Sequence, residues 1–139
     1  MPASKPAQIE EIIKCGKDPV YFTNRYLKIA HPEKGLIPFK TFNFQDDCMR
    51  DFAKHRFNIV LKSRQLGLST ITAAFALWRA LFYKEKNILI IATKMAVAQN
   101  FVRKVRTMLE GLPPWLVLPE ISSYSKTAIE FSNGSIIKA

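Results

Sequence analysis

Cysteine is scarce. The chain of 139 residues holds 2, Cys15 and Cys48. They make no disulfide framework, and without paired Cys or His spacing they make no zinc site. A reducing, cytosol-like compartment is the default expectation. Acidic residues are also few, 11 against 21 Lys and Arg, for a formal net charge of +10. That imbalance points to a polyanionic partner, nucleic acid or an anionic surface. Long apolar runs are missing: the longest, around residues 73–82, is interrupted by Arg79 and is too short to cross a bilayer. The opening MPASKPAQIEEIIK carries Glu10 and Glu11 and no apolar run, so it is no secretion signal. Secreted, membrane-spanning and zinc-finger classes are thereby set aside. What is present, 48% hydrophobic and 23% charged residues, suits one domain with a buried core.

The order of elements follows from hydrophobic spacing. Residues 1–8 are polar and Pro-containing and read as frayed. Residues 9–29 have helical spacing, broken by Gly16 and Asp18-Pro19 into two short helices, with Pro19 opening the second. Residues 31–35 form a turn and 36–39 a short extended piece. Residues 44–54 read as a helix, with Phe44, Cys48 and Phe52 at four-residue steps. Residues 57–61, FNIVL, are apolar and rich in β-branched side chains, which predicts a buried strand. The polar segment 62–70 leads into residues 71–83, apolar nearly all round and so a buried helix. NILIIA (87–92) is a second buried strand and 97–109 a helix stopped by Gly111 and Pro113-Pro114. Residues 128–131 and 135–137 flank Asn133-Gly134, a hairpin signal. Strands alternating with helices predict parallel βαβ units and a sheet buried on two faces.

The segment between the expected strand and helix is where chemistry is expected. A helix N-terminus presents unpaired N–H groups and a positive partial charge. The usual phosphate-binding signature there is GxxxxGK[ST]. This chain has KSRQLGLS: Lys62, Ser63, Arg64, Gln65, Leu66, Gly67, Leu68, Ser69. Gly67 and Ser69 stand in place. Lys62 occupies the first glycine position, and Leu68 occupies the lysine position. The site needs a backbone nest, a cation and a hydroxyl for Mg²⁺. Gly67 can supply the first, Lys62 or Arg64 the second, and Ser69 the third. The bland alternative is a basic turn.

Four blocks in order carry a resemblance to a known family. FNFQDDCMRDF, NIVLKSRQLGLSTITAAFALW, NILIIATKMAVAQNFVRKVRTMLEGLPPWL and SKTAIEFSNGSIIKA together resemble the N-terminal part of the ATPase domain of the tailed-phage terminase large subunit, the DNA-packaging motor. The likeness runs from about Lys14 to Ala139. It implies an α/β fold: an incomplete P-loop NTPase sheet of the ASCE type, parallel, with helices on both faces, preceded by a small helical segment. Residues 1–43 would be a helical, lid-like segment and 44–139 the core. It implies ATP and Mg²⁺ as cofactors. Double-stranded DNA, the portal protein, the small terminase subunit and other copies of the large subunit are the implied partners. The implied place is the host bacterial cytoplasm, transiently at the prohead portal.

By the same resemblance, Gln45 reads the adenine edge; otherwise it is a solvated Gln near a helix start. Phe44 packs by the base or ribose, or joins a core with Phe42, Phe52 and Phe57. Lys62 pairs with phosphate within a loop that runs from Lys62 to Thr70. Arg64 resembles an arginine finger supplied within the chain, a catalytic group. Ser69 holds Mg²⁺, with Thr70 a weaker substitute, and either can instead cap the helix. Arg103, Lys104 and Arg106 share a helix and either contact DNA phosphates or form a solvated face. Trp78 and Trp115 are expected to pack in the core.

An ATPase of this class also needs four apolar residues followed by Asp and Glu. No such segment is present. The expectation is therefore a front part of a larger motor, or a split or decayed gene product, without ATPase turnover alone. A helicase-like ATPase and a non-enzymatic basic DNA-binding module are the competing readings. The first usually keeps the loop lysine, and the second leaves Gln45 and the strand–loop–helix unexplained.

Overall fold

The computed structural model describes residues 4–139. Helix α1 (Lys5–Lys17) and helix α2 (Pro19–Tyr26) meet at Asp18, whose carboxylate accepts from the backbone N–H of Val20 and Tyr21. Asp18 thus caps α2, and Pro19 opens it as the sequence predicts. The expected fraying of residues 1–8 is corrected from Lys5 onward, because Ser4 and Pro6 start α1 there. The second helix also ends earlier than expected. Strands β1 (Lys28–His31) and β2 (Gly35–Pro38) form an antiparallel hairpin. His31 Nδ1 accepts from the N–H groups of Glu33 and Lys34 and so shapes its turn.

At the start of helix α3 (Asn43–Lys54), Gln45 Oε1 accepts from the Phe42 N–H at 3.0 Å, satisfying one backbone donor at the helix entry. Helix α4 (Leu68–Phe82) starts at Gly67, which is left-handed at φ +69°. Ala73, Ala74, Ala76, Leu77, Trp78, Ala80 and Leu81 are all buried, so α4 is the hub of the core. Its neighbours are α2, α3 and α5 (Met95–Glu110). Cys15, Phe22 and Leu27 join the same core, so the helical preface is packed onto the rest. Trp78 donates its indole N–H to the Cys15 carbonyl at 2.7 Å, and Phe22 meets Phe82 edge-on at 5.3 Å. Both tryptophans pack as expected: Trp78 is buried, and Trp115, half-buried in the short 3-10 turn Pro114–Leu116, packs against the core and edge-on to Tyr26.

Strands β3 (Asn87–Leu89), β4 (Ile121–Tyr124), β5 (Ala128–Phe131) and β6 (Ile136–Lys138) form one sheet in the order β3-β6-β5-β4. Only β3 and β6 run parallel; β4, β5 and β6 form an antiparallel meander. The fold is therefore α/β with mixed sheets, and the expected parallel sheet is corrected. The antiparallel part follows from its short connections, since parallel neighbours need a crossover.

The expected strand at residues 57–61 is not formed. Phe57 is 82% exposed, and Ile59 and Leu61 are 100% exposed. A strand exists only when its N–H and C=O groups find a ladder. Among the described residues no strand lies beside this segment, because β3 pairs with β6 instead. The core role weighed for Phe42, Phe44 and Phe57 also fails, since all three are exposed and Phe42 stacks on Phe44 at 5.9 Å. Phe52 alone packs inward, edge-on to Phe75.

The Asn133-Gly134 turn does more than reverse the chain. Asn133 donates from Nδ2 to the carbonyls of Ala80 (2.8 Å) and Tyr83 (3.3 Å), and Ser135 donates from Oγ to Tyr83 at 2.9 Å. These satisfy carbonyls that the end of α4 leaves open. The hairpin is therefore also the C-terminal cap of the central helix.

Candidate functional site

The loop 62–67 enters α4 through two left-handed residues, Gln65 at φ +61° and Gly67 at φ +69°. No side chain caps the α4 N-terminus. Its first N–H groups lack side-chain partners, and alternating hand in the preceding backbone turns N–H groups toward one side. That is an anion-ready helix start.

Gln45 and this loop are neighbours in space although 21 residues apart in sequence. Gln45 is 4% exposed and donates from Nε2 to the Leu66 carbonyl at 2.9 Å. Its Oε1 is engaged at the α3 cap. The amide thus ties the start of α3 to the loop that precedes α4. Leu68, the departure from the usual lysine, is 7% exposed and belongs to the core. An apolar side chain here closes the core beneath the loop. Lys62, Ser63, Arg64, Gln65 and Ser69 are exposed, while Leu66, Gly67 and Thr70 are half-buried. The Lys62 ammonium reaches only the Ser63 carbonyl, at 3.5 Å.

Beside the loop lies a cavity of about 830 Å³. Lys62, Leu68 and Ser69 line one wall, Ile90 to Ala92 another, and Asn100, Phe101, Arg103 and Lys104 of α5 a third. The structure thus brings three of the expected site residues to one cavity. Gln45, Ser63, Arg64, Gln65, Leu66, Gly67 and Thr70 do not line it. Sequence reasoning did not place Asn100, Arg103 and Lys104 at this site. Their i, i+3, i+4 spacing was a signal for one helix face, but nothing in the spacing says which face meets the loop. Among the described residues no cluster of His, Cys, Asp and Glu could hold a metal ion. An ion here would rely on the Ser69 hydroxyl and on a ligand's own phosphates.

These features define an α/β protein with an anion-ready loop at the start of its central helix, flanked by cations. A family model, terminase large subunit of the T4-like-virus type, N-terminal, matches residues 59–139. The match spans more than half of the chain, and the chain belongs to this family of phage DNA packaging. No helix among the described residues is long and apolar enough to cross a membrane.

Proposed function

We propose that this chain is the ATP-binding part of a phage DNA-packaging motor, with ATP and Mg²⁺ held between the loop 62–70 and α5. The observation that carries the reading is the uncapped α4 N-terminus behind two left-handed residues, beside a cavity that gathers Lys62, Ser69, Arg103 and Lys104. The chain's donor set fits a polyphosphate. N–H groups from Ser63 to Thr70, in the loop and the first turn of α4, would cradle it, and Lys62 would neutralise it. The Ser69 hydroxyl would ligate the magnesium ion, with Thr70 as the weaker substitute. Arg64 would act as the catalytic cation, stabilising charge at the γ-phosphate. Gln45 would position the loop through Leu66, and to meet adenine its amide would have to leave Phe42 and Leu66. The fold is proposed to be of the P-loop NTPase class, with residues 1–43 as a lid-like segment and 44–139 as the core. Its proposed partners are double-stranded DNA, the portal protein, the small terminase subunit and further copies of itself, in the host bacterial cytoplasm and at the prohead portal.

Thermal denaturation with and without Mg-ATP tests this. A ligand at 100 times its Kd stabilises by about 2.7 kcal/mol, so a clear rise in Tm is expected. Lys62→Ala is exposed in the free protein and should abolish the rise without lowering the ligand-free Tm. Arg64→Ala should weaken ATP more than ADP. An unchanged Tm in saturating Mg-ATP, or an undiminished rise in Lys62→Ala, sinks the reading.

A further inference from the structure

A second cavity, of about 290 Å³, is lined by Gln99, Arg103, Arg106 and Lys126. All four lining residues are polar, three of them cations and none an acid. Gln99, Arg103 and Arg106 stand at i, i+4 and i+7 on α5 and so share one face. Lys126 comes from the connection between β4 and β5. Concentrating three like charges is unfavourable unless something neutralises them. Among the described residues no salt bridge does so: the ion pairs are Glu11–Lys14 and Asp47–Arg50, both on other elements.

Arg106 is held rigidly in this cluster. Its guanidinium donates to the Ser125 carbonyl and lies over the Tyr124 ring, 4.8 Å from the centroid. Ser125 is itself fixed, because its Oγ accepts from the N–H groups of Thr127 and Ala128. Arg106 Nε is buried and has no hydrogen-bond partner. A buried donor without an acceptor is unfavourable by about 1–3 kcal/mol, so it marks a place where an acceptor belongs. Guanidinium forks match phosphate oxygens in pairs.

We propose that Arg103, Arg106, Lys126 and Gln99 form a second anion site, separate from the loop 62–70, that takes phosphates of a duplex DNA backbone. Arg103 lines both cavities, so positive charge continues from Lys104 on α5 to Lys126 on the β4–β5 connection. A run of cations longer than one phosphate suits a repeating polyanion better than a lone ion. All the groups are charge or amide donors that meet backbone oxygens, so binding is expected to be indifferent to base sequence. This assignment does not rest on nucleotide binding, and its test omits nucleotide.

Fluorescence anisotropy of a short labelled duplex, titrated with the full chain over a salt series, reads the site. The Arg103→Gln/Lys126→Gln pair should weaken binding about tenfold and lower the slope of log K on log salt by about two. The Lys5→Gln/Lys17→Gln pair removes the same charge from α1 and should change neither by more than about twofold. Arg106→Gln should also weaken binding, with the slope lowered by about one. If it lowers the Tm, the exposed Arg103 and Lys126 still decide the matter. Equal losses in both pairs, or no duplex binding at low salt, overturn the site. Displacement of the duplex by millimolar inorganic phosphate, beyond a chloride control of equal ionic strength, would show a single-phosphate site and overturn the backbone assignment. Displacement by polyglutamate as effective as by unlabelled duplex would indicate an acidic protein partner and overturn it equally.

Discussion

A methyl group on residue 67 would sit 2.7 Å from Nε2 of Gln45. Gly67 therefore has two reasons to be glycine: its φ of +69°, which side chains rarely tolerate, and the buried amide against it. Gln45 in turn reaches past Gly67 to the Leu66 carbonyl. Gly67→Ala is expected to destabilise the fold by about 1–3 kcal/mol, from backbone strain and displacement of the amide. Gln45→Ala should destabilise by about 1–2 kcal/mol by leaving the Leu66 carbonyl and Phe42 N–H without this partner. Because the same contact is removed twice, the double variant should lose less than the sum in urea denaturation. Strict additivity would show that the two residues act separately.

The Glu11 carboxylate accepts from the hydroxyls of Tyr26 and Tyr21, tying α1 to α2. These bonds, that of Tyr26 foremost, hold its pKa below the ordinary 4.5. The carboxyl thus binds its proton more weakly folded than unfolded, so its stabilisation is complete above 4.5 and is lost as pH falls through the lower folded value. Burial and the Glu11 bond raise Tyr26, and the Glu11 bond raises Tyr21, each from an ordinary 10.0. Their stabilisation is complete below that value and is lost as pH climbs through the raised one. Glu11→Gln should flatten the fall of Tm in acid. An acid limb as steep as in the wild type would remove Glu11 from the explanation.

Burial, reinforced by the nearby Glu11 charge, pushes the Cys15 thiol up to about 12. Cys48 is only half-buried on α3. Thiolate is the reactive form, so a disulfide reagent at neutral pH should modify Cys48 in the native protein and Cys15 only after denaturation. Mass spectrometry of the labelled peptides distinguishes them. Rapid native labelling at Cys15 would mean that α1 leaves α4 readily.

Asn133→Ala removes two of the three hydrogen bonds that the turn sends to the end of α4. A loss of about 1–3 kcal/mol is expected, chiefly from the orphaned Ala80 carbonyl, since Tyr83 keeps its bond from Ser135 Oγ. Gly134→Ala adds a methyl 3.0 Å from Glu85 Cγ at a φ of +84° and should also destabilise. Both effects are read from denaturation midpoints. A neutral Asn133→Ala would mean that the hairpin is held by the strand ladder alone.

Much of this chain follows from local rules. Asp18-Pro19 breaks and caps a helix wherever it stands, and Gly111 ends α5 because glycine and the following prolines do not continue it. The all-apolar face count of α4 made it central before any neighbour was known. The loop before α4 was legible in part: a polar segment was expected over 62–70, but the helix already begins at Leu68, so Ser69 and Thr70 lie in its first turn. Tertiary structure decided what pairing and packing decide. Residues 57–61 have the composition of a strand, yet ladder bonds come from another segment and none stands beside them. β4, with its exposed ISSY, escaped notice because a strand with little burial has little apolar signal. Asn133 announced a hairpin through its own φ preference, but its bonds to α4 depend on where a helix 50 residues earlier ends. Arg103 and Arg106 read as two charges of one helix, but Lys126 carried no signal, and only the docking of the β4–β5 connection beside α5 gathers the three around one cavity.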